Sequence, residues 1–204
     1  ALSYGTRRIF EGMQLWERLA DQVTPIQKIH VSDQGHFGCA RLDAAEQGVE
    51  AFGYVVENRA LGHLFAQALQ TLSNVDLICP ARVEALSVEG DAARVTVKFN
   101  EAETRTLSAR LVVLAEGRKS AVREQLGIHA SHWSYGQSAV IANITPACAH
   151  ANVAYERFTP GGPLALLPMS DKRCALVWTL RDEQLSSVMA LSDAEFLRAL
   201  QGHF

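Results

Sequence analysis

The stretch LVVLAEGRKSAVREQLGI, residues 111–128, gathers groups that could do chemistry. Five apolar residues, Leu111 to Ala115, run into Glu116 and Gly117, and a helical pattern follows from Ser120. If the run is a buried strand, Glu116 and Gly117 stand at its carboxyl end, where α/β sheets collect ligands. A carboxylate there can accept hydrogen bonds from a ribose hydroxyl or organise water beside phosphates. Gly117 lets the backbone turn or approach a ligand closely. The first N–H groups of the helix suit an anion, and Arg123, one turn in, can tie the turn together. A plainer reading stands beside this one. AEGRKS is then a loop with Ser120 as helix N-cap, and spacing alone favours that.

Two further groups have the right types. Glu57, Asn58 and Arg59 lie between a strand pattern and a helix pattern. They are either ligand-facing, or an N-cap at Asn58 with a solvated Arg59. In PLALLPM, alternation sends Leu164, Leu166 and Pro168 to one face and Ala165, Leu167 and Met169 to the other. One face can line an apolar pocket and the other can be core; alternation does not say which. Trp178 and Phe158 read as core, and His36 as a turn-flanking surface residue. His63, His129, His132 and His150 have no metal-ligand spacing, and the four cysteines include no C-x-x-C pair, so no metal site is expected.

The elements that must position these groups are mixed. Ile9, Met13, Trp16 and Ala20, with Leu19 beside them, predict a helix over 5–20 that Thr24-Pro25 ends. Asp33-Gln34-Gly35 predicts a hairpin turn, and FGYVVEN a strand. Leu61, Leu64, Phe65, Ala68, Leu69 and Leu72 predict a helix over 59–72 with Asn58 as its N-cap. Strands are expected around the turn Glu89-Gly90-Asp91. ARLVVLA reads as a strand covered on both faces, and 120–126 as a short helix. From SAVIANITP to RCALVWTL the pattern is an antiparallel meander, with turns at Pro160-Gly161-Gly162 and Ser170-Asp171-Lys172. Ser192-Asp193-Ala194-Glu195 is a capping box opening a last helix, with Phe196, Leu197 and Leu200 on its buried side. Residues 26–42 and 134–180 are expected to build one antiparallel sheet, and 54–126 a nucleotide-domain-like layer of strands and helices. The fold class is α/β with α+β character.

Composition bounds the function. The chain has 204 residues, 48% hydrophobic and 20% charged, with a net charge of −3. That is an ordinary globular balance without the basic surface of a nucleic-acid binder. Widely spaced cysteines fit a reduced, cytosolic setting better than a disulfide framework. No apolar run approaches the ~20 residues of a spanning helix, and no signal peptide is visible. A start without Met and a stop on a helical turn read as the ends of an internal piece of a longer chain.

The run Ala115, Glu116, Gly117, Ser120, Val122, Arg123, after its apolar strand pattern, resembles the second nucleotide-associated fingerprint of the flavoprotein aromatic hydroxylases. ALSYGTRRIFEGMQLW resembles the segment after that family's first flavin motif. VSDQGHFG, YVVENRALGHLF, AVIANI and YERFTPGGPLALLPMSDKRCALVW resemble, in order, its ubiquinone-biosynthesis branch. The similarity covers essentially the whole chain.

The resemblance implies part of a Rossmann-like FAD domain, 1–25 and 54–128. It also implies an antiparallel substrate domain of the p-hydroxybenzoate-hydroxylase type, 26–53 and 129–204. It implies FAD as cofactor, NAD(P)H as electron donor and hydroxylation of a polyprenylated phenol. The cofactor carries the hard chemistry, so no catalytic side chain is expected from the chain itself. Glu116, Gly117, Arg123, Glu57, Asn58 and Arg59 are the expected FAD contacts, and Leu164, Leu166 and Pro168 the expected substrate lining. Glu116 departs from the family's Asp by one methylene. The chain holds no G-x-G-x-x-G, and the family's later Gly-Asp motif is also missing. The 204 residues alone are therefore expected to be inactive and not to retain FAD. A cytoplasmic protein working at the membrane face, with other ubiquinone-biosynthesis proteins as candidate partners, is implied. Two other readings remain: a sister hydroxylase with another phenol, and a non-catalytic binding module that has lost FAD.

Overall fold

In the computed structural model, which describes residues 1–100 and 103–203, Leu2–Ser3 (β1) leads into the helix Tyr4–Gly12 (α1). Ser3 caps it by accepting from the Thr6 N–H at 3.1 Å. The helix is shorter than its apolar repeat predicts. Gln14 takes a left-handed φ of 58° and stops it. Phe10, Leu15, Trp16 and Leu19 then form the core, while Ile9 and Met13 of the expected stripe are 61% and 55% exposed.

A 3-10 turn, Ala20–Gln22, enters Val23–Ile26 (β2). The hairpin expected around Asp33 forms from Lys28–Asp33 (β3) and Cys39–Asp43 (β4). Gly53–Val56 (β5) follows, then the helix Asn58–Gln70 (α2). The order β1-β5-β2 makes a small antiparallel sheet. Phe10, Trp16, Leu19, Tyr54 and Leu64 form one buried cluster between this sheet and its helices. Arg7 pins α1 to β5. It donates to Glu11 at 2.8 Å, to Glu50 at 2.7 Å and to the Tyr54 hydroxyl, and its guanidinium lies over the Trp16 ring. Burial pushes the Tyr54 phenol up, and Arg7 opposes that shift.

Leu72–Trp133 is a compact unit of its own. Arg82–Glu89 (β6), Ala92–Lys98 (β7) and Thr104–Ala109 (β8) form an antiparallel sheet, turning at Gly90 with φ 61°. The helix Ala121–Gln125 (α3) packs beside β6. The strand expected over 111–115 is absent. Residues 111–115 join no ladder among the described residues, and Leu111 and Val113 are 79% and 76% exposed. An apolar run becomes a strand only with partners to bond, and this unit's sheet ends at β8.

The other unit, Ala1–Thr71 with Ser134 onward, also contains Gln137–Ile144 (β9), Val153–Phe158 (β10), Leu164–Pro168 (β11) and Cys174–Arg181 (β12). With β3 and β4 they make the single sheet expected from two separated segments, in the order β4-β3-β10-β11-β12-β9. Two details differ from expectation. β10 runs parallel to β3, Tyr155 opposite His30. The run is also not a simple meander, because β9 pairs with β12 rather than with β10.

Gly162, with φ 141°, turns the chain between β10 and β11. An added Cβ there would meet the Thr179 carbonyl oxygen at 2.6 Å. Two helices follow, Asp182–Met189 (α4), unforeseen, and Asp193–Gln201 (α5). In the expected capping box, Glu195 accepts from the Ser192 hydroxyl at 2.5 Å and N–H at 3.0 Å, which holds its carboxyl below the usual range. Leu200 is buried, Phe196 packs edge-on to Trp178, and Leu197 is exposed. The helices cover one face of the sheet through Val140, Leu164, Leu176, Trp178 and Leu180.

Candidate functional site

In the unit Leu72–Trp133, Glu116 and Gly117 lie on a loop, and Gly117 has a left-handed φ of 79° with open space where a side chain would be. Ser120, buried, donates its hydroxyl to Glu116 and accepts the Arg123 N–H at 3.1 Å. Ser120 is therefore the N-cap of α3, as the plainer reading had it. The Glu116 carboxylate is drawn into that cap from outside. α3 has only five residues, so its dipole offers an anion little. Arg123 ties the turn through its backbone N–H. Its Nε is buried without a partner among the described residues.

In the other unit, the β5–α2 junction carries the second group. Glu57, not Asn58, is the N-cap, and it makes no side-chain cap bond. The Glu57 carboxylate instead accepts from Arg173 at 2.9 Å, with Arg59 at 3.7 Å. Arg173 also reaches Asp171 at 3.2 Å, and its Nε is buried without a partner among the described residues. Glu57, Arg59, His63, Asp21, Asp171 and Arg173 line a charged cleft of about 360 Å³. Asn58 and Arg59 are exposed.

Sequence reading missed Arg173. Its one local signal is the turn Ser170-Asp171-Lys172-Arg173, where Asp171 and Lys172 both have φ near 60°. That is the tight hairpin turn that swings Arg173 back onto the β12 side.

The third group is resolved by the sheet. Leu164 and Pro168 are fully buried, and Leu164 and Leu166 pack in the helix-covered cluster. The face expected to line a pocket is therefore core, because α4 and α5 close over it. Ala165 and Leu167 point the other way, on the face that carries Glu156, Val177 and Ile141. Trp178 is core as expected. Phe158 is about half exposed and His36 is a surface residue paired with Asp33 at 2.8 Å. Among the described residues no cluster of three or more His, Cys, Asp or Glu could hold a metal, and no helix is long and apolar enough to cross a membrane.

Comparison with known proteins gives these positions a context. Ubiquinone hydroxylase UbiL of Rhodospirillum rubrum is 36% identical over 205 residues, covering 100% of this chain and 46% of that protein. The mitochondrial ubiquinone biosynthesis monooxygenase COQ6 of Mus musculus is 27% identical, covering 100% of this chain and 44% of that one. The chain thus spans about half the length of these curated relatives. A crystal structure of a Pseudomonas aeruginosa PqsL mutant superimposes with a TM-score of 0.81 at 22% identity, covering 100% of this chain and 55% of that one. Residues 1–204 match the FAD binding domain family along their whole length, and the chain belongs to that family.

Proposed function

We propose that the chain is part of an FAD-dependent monooxygenase that hydroxylates the ring of a polyprenylated phenol in ubiquinone biosynthesis. Enzymes of the type of 2-octaprenyl-6-methoxyphenol hydroxylase have that activity. The observation that carries it is the 36% identity to a ubiquinone hydroxylase along the entire chain. Residues 1–25 and 54–128 belong to the flavin side of the protein, and 26–53 with 129–204 to the substrate side.

The residues present fit the cofactor. The orphaned Nε of Arg123 suits a pyrophosphate oxygen, and the open space at Gly117 admits one close to the backbone. One Glu116 oxygen is occupied by Ser120, leaving the other for a ribose hydroxyl. Glu57, Asn58 and Arg59 edge the flavin, with Arg173 holding Glu57 in place. FAD, reduced by NAD(P)H, supplies the oxygen-activating chemistry. The chain's residues position the ring and keep water from it. The polyprenyl tail brings the protein to the cytoplasmic face of a membrane, where other ubiquinone-biosynthesis proteins are its partners. The visible spectrum of the whole purified protein tests this. Flavin bands are expected, and a protein with none that cannot be reconstituted with FAD sinks the proposal.

A further inference from the structure

On the sheet face turned away from α4 and α5, Glu156 is a carboxylate in apolar company. Glu156 on β10 stands beside Val31 on β3 and Ala165 on β11, and Val177 and Ile141 continue the row. It shares a cleft of about 420 Å³ with Ile26, Ile29, Phe52, Ala154 and Leu167. That volume is within the ~300–1,000 Å³ of small-molecule sites.

No hydrogen bond or ion pair engages Glu156 among the described residues, and burial pushes its carboxyl above the usual range. One other charged pair is near: Asp33, on the same face of β3, is held by His36. A half-buried carboxylate among aliphatic walls loses hydration without recovering it. A neutral O–H donor entering between those walls restores the missing bond and leaves the rest of its ring against Ile29, Phe52 and Leu167.

We propose that Glu156 accepts the hydroxyl of a phenol bound in this cleft and so fixes the orientation of the ring. The assignment rests on the phenolic substrate proposed above. The bond draws electron density toward the ring carbons ortho and para to the hydroxyl. When the proton moves, the phenol O–H bond breaks, an O–H bond forms on Glu156, and the ring is left as phenolate.

The test uses the whole protein, titrated calorimetrically with guaiacol and with its O-methyl ether, veratrole, from about pH 4 to 9, where guaiacol stays protonated. The wild-type affinity for guaiacol is expected to rise about tenfold as Glu156 ionises, because a hydrogen bond to a charged acceptor is the stronger one. Veratrole, lacking the proton, is expected to show no such rise. Glu156→Gln is expected to flatten the guaiacol profile and leave veratrole binding unchanged. Equal profiles for the two probes in the wild type, or a rise that survives in Glu156→Gln, overturn the assignment. The titration needs no flavin, so this failure is distinct from the loss of flavin bands that would sink the functional reading.

Discussion

At the scale of single residues, the Glu57–Arg173 pair is the most specific contact brought together from distant sequence. Both side chains are about one-third exposed, so solvent screens much of their attraction. A double-mutant cycle with Glu57→Gln and Arg173→Gln is expected to give a coupling of about 0.5–1 kcal/mol in denaturant unfolding. A coupling near zero would mean that the pair only shapes the cleft. The partners are 116 positions apart, which is why neither residue's type announced the pairing. Glu116 was legible from its place after an apolar run, but its engagement by Ser120 was not, because that needs the loop's path. For the leucines the ambiguity was physical. Alternation fixes which side chains share a face, and only the helices laid over Leu164 decide which face is core.

At the scale of elements, local chemistry was readable where it ends or turns the chain. The Ser192–Glu195 cap, the Gly90 turn and the hairpin after Asp33 all formed as expected. Gly162 extends that logic. Its φ of 141° is nearly glycine-only, and a side chain would strike the β12 backbone. Gly162→Ala is expected to cost about 1–3 kcal/mol in thermal or denaturant unfolding. An unchanged midpoint would show that the turn relaxes. Elements whose form depends on neighbours were not readable. Leu111 to Ala115 has a strand's composition and, among the described residues, no strand's partners. Thr104–Ala109, mostly polar, is a strand because β7 offers it a ladder. α4 was unforeseen because DEQLSSVM carries only a sparse apolar repeat.

At the scale of the whole molecule, stability is uneven along the chain. Central β12 is bonded on both sides and its alternate residues are buried, whereas 111–115 joins no ladder among the described residues. Amides of 111–115 in the 204-residue chain are expected to exchange hydrogen at nearly unprotected rates, while those of β12 are slowed at least ~1,000-fold. Protection of 111–115 would contradict the arrangement described.

The parallel pairing of β3 with β10 has a further consequence, in time. The Gln27 amide oxygen accepts from Asn152 at 3.0 Å across 125 positions, and among the described residues β3 has no other neighbour on that edge. At ~5–20 residues per second, translation leaves β3 with that edge bare for about 6–25 s before β10 is made. For that interval the nascent chain presents an open strand to any other strand it meets, so its yield in the cell should depend on chaperones that cover the edge.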